Sequence, residues 1–299
     1  MASPPVLDDV SVLIASRERP AMLSDTVASL LAGDALPREV VVVDQSATPH
    51  PGLAGAEPVR GCAIRYVHAA GRGLSGARNL ALHTATAPTV ALLDDDMYVE
   101  GDWLRRLADA VRTDGGRTVA SGRVLPAPAE GPGRSVPPSA LLLRDEPAEY
   151  AGTAAGDVLP GAGFAAARAA LLDAGGYDER LGPGTSFPAA EDNDLGFRLL
   201  QAGCVVRHVP EAVALHRAWR SRGERLRLRW TYGRGQGAFY AKHRAEDPVI
   251  RRRLTAEIRK RARRGVTLAA RHPARALQEW AFLGGLLTGA AQWAVQHRR

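Results

Sequence analysis

Cysteine is almost absent from this chain. Cys62 and Cys204 are the only two in 299 residues and form no CxxC pair, which argues against a zinc site or a disulfide framework and favours a reducing, cytosolic setting. A basic start and an apolar stretch are both missing from the amino terminus, Met1 to Pro5, so no export signal is read there. Also missing is any apolar run of the roughly 20 residues that a membrane-crossing helix needs. The nearest approach is Trp280 to Val295, sixteen residues that are apolar apart from Thr288 and Gln292. With Trp280 and Trp293 near its ends and His297, Arg298 and Arg299 beyond, it suits a membrane interface; a helix docked on the body is the preferred reading. No internal repeat is evident.

Apolar residues make up 45% of the chain, ample for the core of one large domain or two ordinary ones. The net charge of +7 is unevenly spread. Arg217 to Arg275 holds 19 Lys and Arg against 4 Asp and Glu, a balance of +15, which leaves 20 basic and 28 acidic residues, or −8, for the rest. An acidic body and a basic tail follow. The tail is either a set of solvated helix faces or a surface for phosphates, anionic lipid or nucleic acid.

Strand and helix patterns alternate in the first half. Val10 to Ser16 reads as a strand, and Pro20 suits the first turn of a helix whose Leu23, Val27, Leu30 and Leu31 form one stripe. Val40 to Val43, ending at Asp44, and Ile64 to Val67 read as further strands. A short helix follows Leu74; Val90 to Leu93 then reads as the strand that delivers Asp94. A helix through Trp103, Leu104 and Leu107 precedes a strand at Thr118 to Val124. This order predicts an α/β fold with a mostly parallel sheet. Leu125 to Pro160, rich in Pro, Gly and Ala, reads as a long functional loop. After it come Phe164, a helix near Leu171 and Leu172, and a helix from Asp192 to Leu200 closed by Gly203. Two short strands, Val205 to Val209 and Ala212 to Leu215, end at His216. From Arg217 the chain reads as Arg-rich helix broken by Gly233, Gly235 and Gly237.

Asp94, Asp95 and Asp96 close an apolar strand at the edge where an open α/β sheet holds its ligand. Carboxylates fixed there repel one another, and a divalent cation such as Mg²⁺ turns that repulsion into binding; a polar turn capping the next helix is the plainer reading. Ser16 with Arg17 and Arg19, Asp44 with Gln45 and Ser46, and His216 also fall at strand ends, so one crevice could collect them all. Gly71, Gly73 and Gly76 spell GxGxxG with acidic residues about 20 positions on, as in a dinucleotide fold. That match follows the third strand rather than the first, in a chain with 31 glycines. Glu191, Asp192 and Asp194 form a second acidic cluster at a helix start, where the dipole favours carboxylates. One of them within reach of an acceptor hydroxyl would serve as general base.

From Val10 to His216 the chain resembles a family 2 glycosyltransferase of the inverting, GT-A type. The resemblance is carried by VSVLIASRERP, VVVDQS, GLSGARN, LLDDDMYVEGDW, GAGFAAARAALLDAGGYDERL, EDNDLGFRLLQAG and ALH, in that order. It implies a Rossmann-like, mostly parallel sheet over residues 1–216, with 125–160 on the acceptor side and 217–299 as a helical, Arg-rich extension. It further implies a nucleotide-diphosphate sugar donor, with Ser16, Arg17, Arg19 and Asp44 around the base and ribose and Arg78 ordering the donor. Asp94 and Asp96 match the DxD motif: Asp96 would bind Mg²⁺ or Mn²⁺ at the diphosphate, and Asp94 would support the ribose or the metal. Asp95 stands between them; Asp94, Asp95 and Glu191 are all placed on the nucleotide sugar, and which of the three aspartates ligates is left open. Glu191 and Asp192 match the acidic pair that contains the base, Asp192, and His216 matches a late histidine near the metal.

The chain departs from the pattern in two places. Ser16, Arg17 and Glu18 stand where many members carry a Tyr-Asn pair, and the QxxRW signature of processive synthases is missing. The expectation is transfer of one hexosyl or deoxyhexosyl group to a small-molecule, glycan or lipid-linked acceptor. The enzyme would be cytoplasmic, with an anionic membrane surface as partner and no nucleic acid. Three alternatives stand beside it: a nucleotidyltransferase, which would carry a Gly-rich loop where Ser16 to Pro20 has no glycine; an NAD-dependent oxidoreductase; and a protein that binds nucleic acid or membrane through its basic tail.

Overall fold

The computed structural model describes residues 4–297 apart from 72, 138, 139, 154, 155 and 160. Arg298 and Arg299, Met1 to Ser3, and the Pro160 end of the expected loop therefore lie outside the described residues. In chain order the first elements are β1 (Val6–Ser16), α1 (Pro20–Leu31), β2 (Leu36–Asp44), β3 (Ala63–His68), α2 (Leu74–Thr84), β4 (Thr89–Asp94), β5 (Met97–Val99) and α3 (Trp103–Val111). Next come β6 (Thr118–Ala129), β7 (Arg134–Ser135), β8 (Ala148–Ala151), β9 (Phe164–Ala167), α4 (Arg168–Asp173), α5 (Glu191–Gln201), β10 (Val205–Ala218) and β11 (Arg220–Ser221). Three helices finish the chain: α6 (Arg225–His243), α7 (Pro248–Ala269) and α8 (Pro273–Gln296).

Among the described residues the main sheet has nine strands in the order β3-β2-β1-β4-β9-β6-β10-β5, with β8 paired to β10. β1 runs parallel to β2 and β4, and β10 parallel to β6. β9 is antiparallel to both β4 and β6, which keeps β6 and β10 running with β1. The apolar runs of β1, β2 and β4 are continuous because both sheet faces are covered. Val10, Val12 and Ile14 pack with Leu23 and Leu30 of α1 and Leu107 of α3, while Leu13 packs on the other face with Ala81 of α2 and Leu195 of α5.

Three expectations are corrected. The two short strands before His216 are one strand, β10, whose register against β6 shifts between Val209 and Val213. Pro210 lies within the shift, where a bulge absorbs its missing N–H, and His216 is paired within the strand rather than ending it. The stretch 125–160 is not a loop alone: it carries the end of β6, β7 and β8, the last pairing antiparallel with β10. The glycines of the tail do not break its first helix; α6 runs unbroken from Arg225 to His243.

Those glycines are contact points. A Cβ at Gly237 would stand 2.0 Å from the Leu286 carbonyl oxygen, and one at Gly289 would stand 1.9 Å from that of Arg234. Only glycine permits this approach of α6 and α8, at the roughly 1 kcal/mol that a mid-helix glycine costs. α8 is docked rather than free: Phe282, Leu286, Gly289 and Trp293 are buried. Asp247 caps α7, accepting from the Val249 N–H at 2.7 Å. The helices join the body through Trp293, whose ring centroid lies 5.2 Å from that of Phe187, and through Asp194 of α5. Asp194 is fully buried and accepts from Lys242 Nζ at 2.6 Å, His243 Nε2 at 2.7 Å and Arg198 Nε at 2.8 Å. Burial alone would raise its pKa; bonds from His243, and the charges of Arg198 and Lys242, outweigh that and lower it. Among the described residues no helix is long and apolar enough to cross a membrane.

Candidate active site

The carboxyl ends of β1 and β4 open into a cavity of about 960 Å³. The site residues expected from the sequence border it except Asp44, Ser46 and Asp194. The Asp44 carboxylate is buried, accepting from Tyr66 Oη at 2.7 Å and from the Ser46 N–H at 2.9 Å; its neighbour Gln45 reaches the cavity instead.

Asp94, the last residue of β4, and Asp96, just past its end, face His216 across the strand edge. One ligand atom from each of the three lies within 4.8 Å of the other two. His216 Nε2 is 3.6 Å from Asp96 Oδ1, and its Nδ1 lies 3.1 Å from the Arg217 carbonyl oxygen. That carbonyl can only accept, so Nδ1 donates to it, and Nε2 is the ring nitrogen turned towards the carboxylates. Trp219 donates its indole N–H to Asp96 Oδ2 at 2.7 Å, which leaves Oδ1 on the His216 side. Two carboxylate oxygens and one imidazole nitrogen, each oriented by a bond from behind, suit a divalent cation such as Mn²⁺.

Asp95 points away from this cluster. It accepts from Ser16 Oγ at 2.7 Å and Arg19 Nη1 at 2.9 Å. Burial, partly offset by Arg19, lifts its pKa to about 6. Arg19 rests on the Trp219 ring, 4.6 Å from its centroid, so Ser16, Arg19 and Asp95 form a buttress behind the pair that faces His216. Arg17 borders the cavity and is exposed.

Arg78 links the two acidic clusters. It is buried, lies over the Tyr177 ring, and donates to Asp94 Oδ1 at 2.8 Å, Asp192 Oδ1 at 2.7 Å and the Gly161 carbonyl at 2.6 Å. Glu191 Oε1 is 3.9 Å away. Ala190 enters the helix with a left-handed φ of 70°, and Glu191, Asp192 and Asp194 occupy its first turn, where free N–H groups favour anions. Burial raises the pKa of Asp192 well above the ordinary carboxylate range despite Arg78, and raises that of Glu191 as well. Gly161 stands beside the second oxygen of Asp192: a Cβ there would sit 3.3 Å from Oδ2. The glycine leaves that oxygen uncovered.

Sequence reasoning missed Trp219, Tyr177 and the far wall. That wall is built by the tail helices, with Arg229, Tyr232, Gln236 and Tyr240 from α6 and Arg253, Lys260 and Arg261 from α7. The spacings of three and four in α6, and of seven between Arg253 and Lys260 in α7, were the available signal, since residues so spaced share one helix face. Arg229 and Arg261 both stack on Phe282, at 4.7 and 4.2 Å; burial, and then Arg261, push the pKa of Arg229 down. One side of the cavity is thus acidic and the other basic.

Comparison with known proteins gives this arrangement a family. Residues 11–152 match the model of Glycosyl transferase family 2, and residues 89–296 that of Glycosyl transferase family group 2. The succinoglycan biosynthesis protein ExoM of Rhizobium meliloti (strain 1021) is 36% identical over 115 residues, 37% of each chain. The pre-mycofactocin glycosyltransferase of Mycobacterium tuberculosis (strain CDC 1551 / Oshkosh) is 31% identical over 213 residues, 70% of this chain and 42% of that one. The chain spans about two fifths of the length of these curated relatives. Among solved structures, the mannosyltransferase PcManGT from Pyrobaculum calidifontis, in complex with GDP-Man and Mn²⁺, is similar with a TM-score of 0.59 at 16% identity, over 97% of this chain and 88% of that one. S. aureus TarS 1-349 with UDP-GlcNAc is similar with a TM-score of 0.56 at 16% identity, over 95% and 92%. The chain therefore belongs to glycosyltransferase family 2 and has the GT-A fold.

Proposed function

We propose that the protein is a metal-dependent, inverting glycosyltransferase that moves one sugar from a nucleotide-diphosphate donor to an acceptor hydroxyl. The observation that carries this reading is the pairing of two clusters in one cavity: Asp94, Asp96 and His216 on one side, and Asp192 joined to Asp94 through Arg78 on the other. Asp94, Asp96 and His216 would hold Mg²⁺ or Mn²⁺, and the imidazole favours Mn²⁺ over the more strictly oxygen-seeking Mg²⁺. Such an ion, when bound, neutralises the diphosphate of the donor as it leaves.

The residues of the chain do the rest. Asp192 takes the proton of the acceptor hydroxyl through Oδ2, the oxygen that Gly161 leaves open, while Arg78 holds Oδ1. The acceptor oxygen then bonds to the anomeric carbon as the bond from that carbon to the diphosphate oxygen breaks, and the electron pair leaves with the diphosphate. Burial raises the pKa of Asp192, so its ionised carboxylate is a stronger base than an exposed one. In this reading Asp192 acts as the one base and no carboxylate of the chain bonds to the sugar, so a single displacement inverts the anomeric centre. Arg17, Arg19 and Gln45 face the nucleotide, with Asp44 acting behind Gln45.

Residues 1–216 form the catalytic domain in this reading, and 217–299 supply the acceptor wall and contact an anionic membrane surface from the cytoplasmic side. The acceptor is a small molecule, a glycan or a lipid-linked sugar.

The test is Asp192→Asn. Thermal shift with UDP-, dTDP- and GDP-sugars, with and without Mn²⁺, identifies the donor, since a ligand at 100 times its Kd stabilises by about 2.7 kcal/mol. D192N should keep the Mn²⁺-dependent shift and lose transfer. Unaltered turnover in D192N removes it as base, and a donor shift indifferent to Mn²⁺ removes the metal.

A further inference from the structure

α8 presents two unlike faces. Phe282, Leu286, Gly289 and Trp293 turn inward and are buried. The opposite stripe, Leu277, Trp280, Gly284, Leu287, Ala291 and Val295, repeats at intervals of three and four residues and is exposed except for the half-buried Gly284. From Gln278 to Gln296 the single charged residue is Glu279, and it turns inward to Arg261 Nη1 at 2.8 Å. The outward face of α8 therefore carries no charge over about 27 Å of helix. Leu277, Leu287 and Val295 are 54%, 50% and 63% exposed. Trp280 lies against Gly265 of α7, and Trp230 of α6 lies against Gly284, so two indoles, each 41% exposed, widen the stripe on either side. Arg263, Arg264, Arg271 and Arg275 are exposed around its amino-terminal end.

From this arrangement we propose that the outward face of α8 is the surface on which the enzyme rests on an anionic membrane, with the helix lying in the plane of the interface. A continuous exposed apolar stripe is unusual for a protein surrounded by water. Tryptophan favours the level of the lipid headgroups, and arginines beside a shallow apolar face add the attraction of anionic lipid, the two-signal combination that stable anchoring needs. The charge also separates this occupant from a second copy of the chain. A two-fold contact with parallel α8 helices would set one arginine cluster against the other, and an antiparallel one would leave both clusters without an opposite charge, whereas an anionic bilayer neutralises them. The inference rests on the membrane contact proposed above for 217–299 and adds the face that makes it; it is independent of the chemistry assigned to Asp192.

The experiment is co-sedimentation of the full chain with vesicles of phosphatidylcholine alone and of phosphatidylcholine with phosphatidylglycerol. The wild type should bind the second kind, more weakly as salt rises. The triple variant Leu277→Glu, Leu287→Glu, Val295→Glu replaces side chains at least half exposed, so the fold tolerates it, which the donor-dependent thermal shift checks. Its partition should fall by about tenfold or more. Leu143→Glu, at an equally exposed site on the body, should leave binding unchanged. A second readout is the blue shift of tryptophan emission on adding anionic vesicles, which Trp280→Phe should diminish. A wild type that binds neither vesicle overturns membrane contact altogether. Wild-type binding that the triple variant retains overturns this face while sparing membrane contact. A wild-type dimer that the triple variant turns into a monomer, with vesicle binding unmoved, makes the face a protein interface and also overturns the proposal.

Discussion

Arg78→Met tests the joint between the two halves of the site. The substitution keeps an unbranched side chain over Tyr177 but removes the charge that Asp94 and Asp192 share at 2.8 and 2.7 Å. At about 4 Å and an effective dielectric of about 20, one full pair is worth roughly 4 kcal/mol. Asp94 is 29% exposed at its side chain and partly screened, so Asp192 carries most of the loss. Removing one partner of a buried pair costs roughly 3–5 kcal/mol, because the other charge stays buried without it. That is the expected deficit, and a domain stable by about 5–15 kcal/mol remains folded. The sign with pH follows from linkage. Asp192 and Glu191 have folded pKa values above their unfolded ones, so between those values the folded state holds the extra proton and stability falls as pH rises. Without Arg78 both move further up, and the deficit should be larger at pH 8 than at pH 5. Urea melts of wild type and R78M at the two pH values measure it. A loss below about 1 kcal/mol at pH 8, or an equal loss at both, would refute a central role for this guanidinium.

Asp194→Asn should destabilise by roughly 3–5 kcal/mol, since Lys242, His243 and Arg198 lose the carboxylate they enclose. Asp194 has a lowered folded pKa, so its contribution is full above its unfolded value of 3.8 and fades as pH falls below that; the gap between wild type and D194N in chemical melts should close there. Gly289→Ala places a methyl group against the Arg234 carbonyl oxygen and forces α6 from α8. Thermal unfolding should show a loss of about 1–3 kcal/mol or more, against a negligible effect for Gly223→Ala, where the added carbon meets nothing.

The parallel core was legible because its strands are buried on both faces. A run such as Val40 to Val43 stays apolar at every position, and the polar residue that ends it marks the sheet edge. Asp94 and Asp96 could be read this way. His216 could be read only in part, because Pro210 divides in the sequence a strand that a bulge keeps whole in space. The tail resisted for a different reason. Gly233, Gly235 and Gly237 weaken a helix taken alone, and the contacts that compensate lie on Leu286, Ala189 and the other partners they meet far along the chain; no local pattern contains them. β8 was hidden likewise, being four residues long and identified by its pairing with β10.

The basic tail shows most sharply what a linear reading leaves unresolved. Its balance of +15 is a property of a segment, whereas the folded helices divide the same charge between two surfaces. Arg229, Arg253 and Arg261 stack on Phe282 and Tyr240 and turn into the cavity, opposite the aspartates. Arg263, Arg271 and Arg275 stay in solvent beside the uncharged stripe of α8, while Arg264, though exposed, pairs with the buried Glu279 at 3.4 Å. If the two proposals hold, one arginine pattern serves two chemistries, and the rotation of each residue about its helix decides which. Neutralising the inner set should weaken acceptor use and spare vesicle binding, while neutralising the outer set should do the reverse. Joint loss of both from either set would mean that the tail acts through its total charge and that the two faces are not separate.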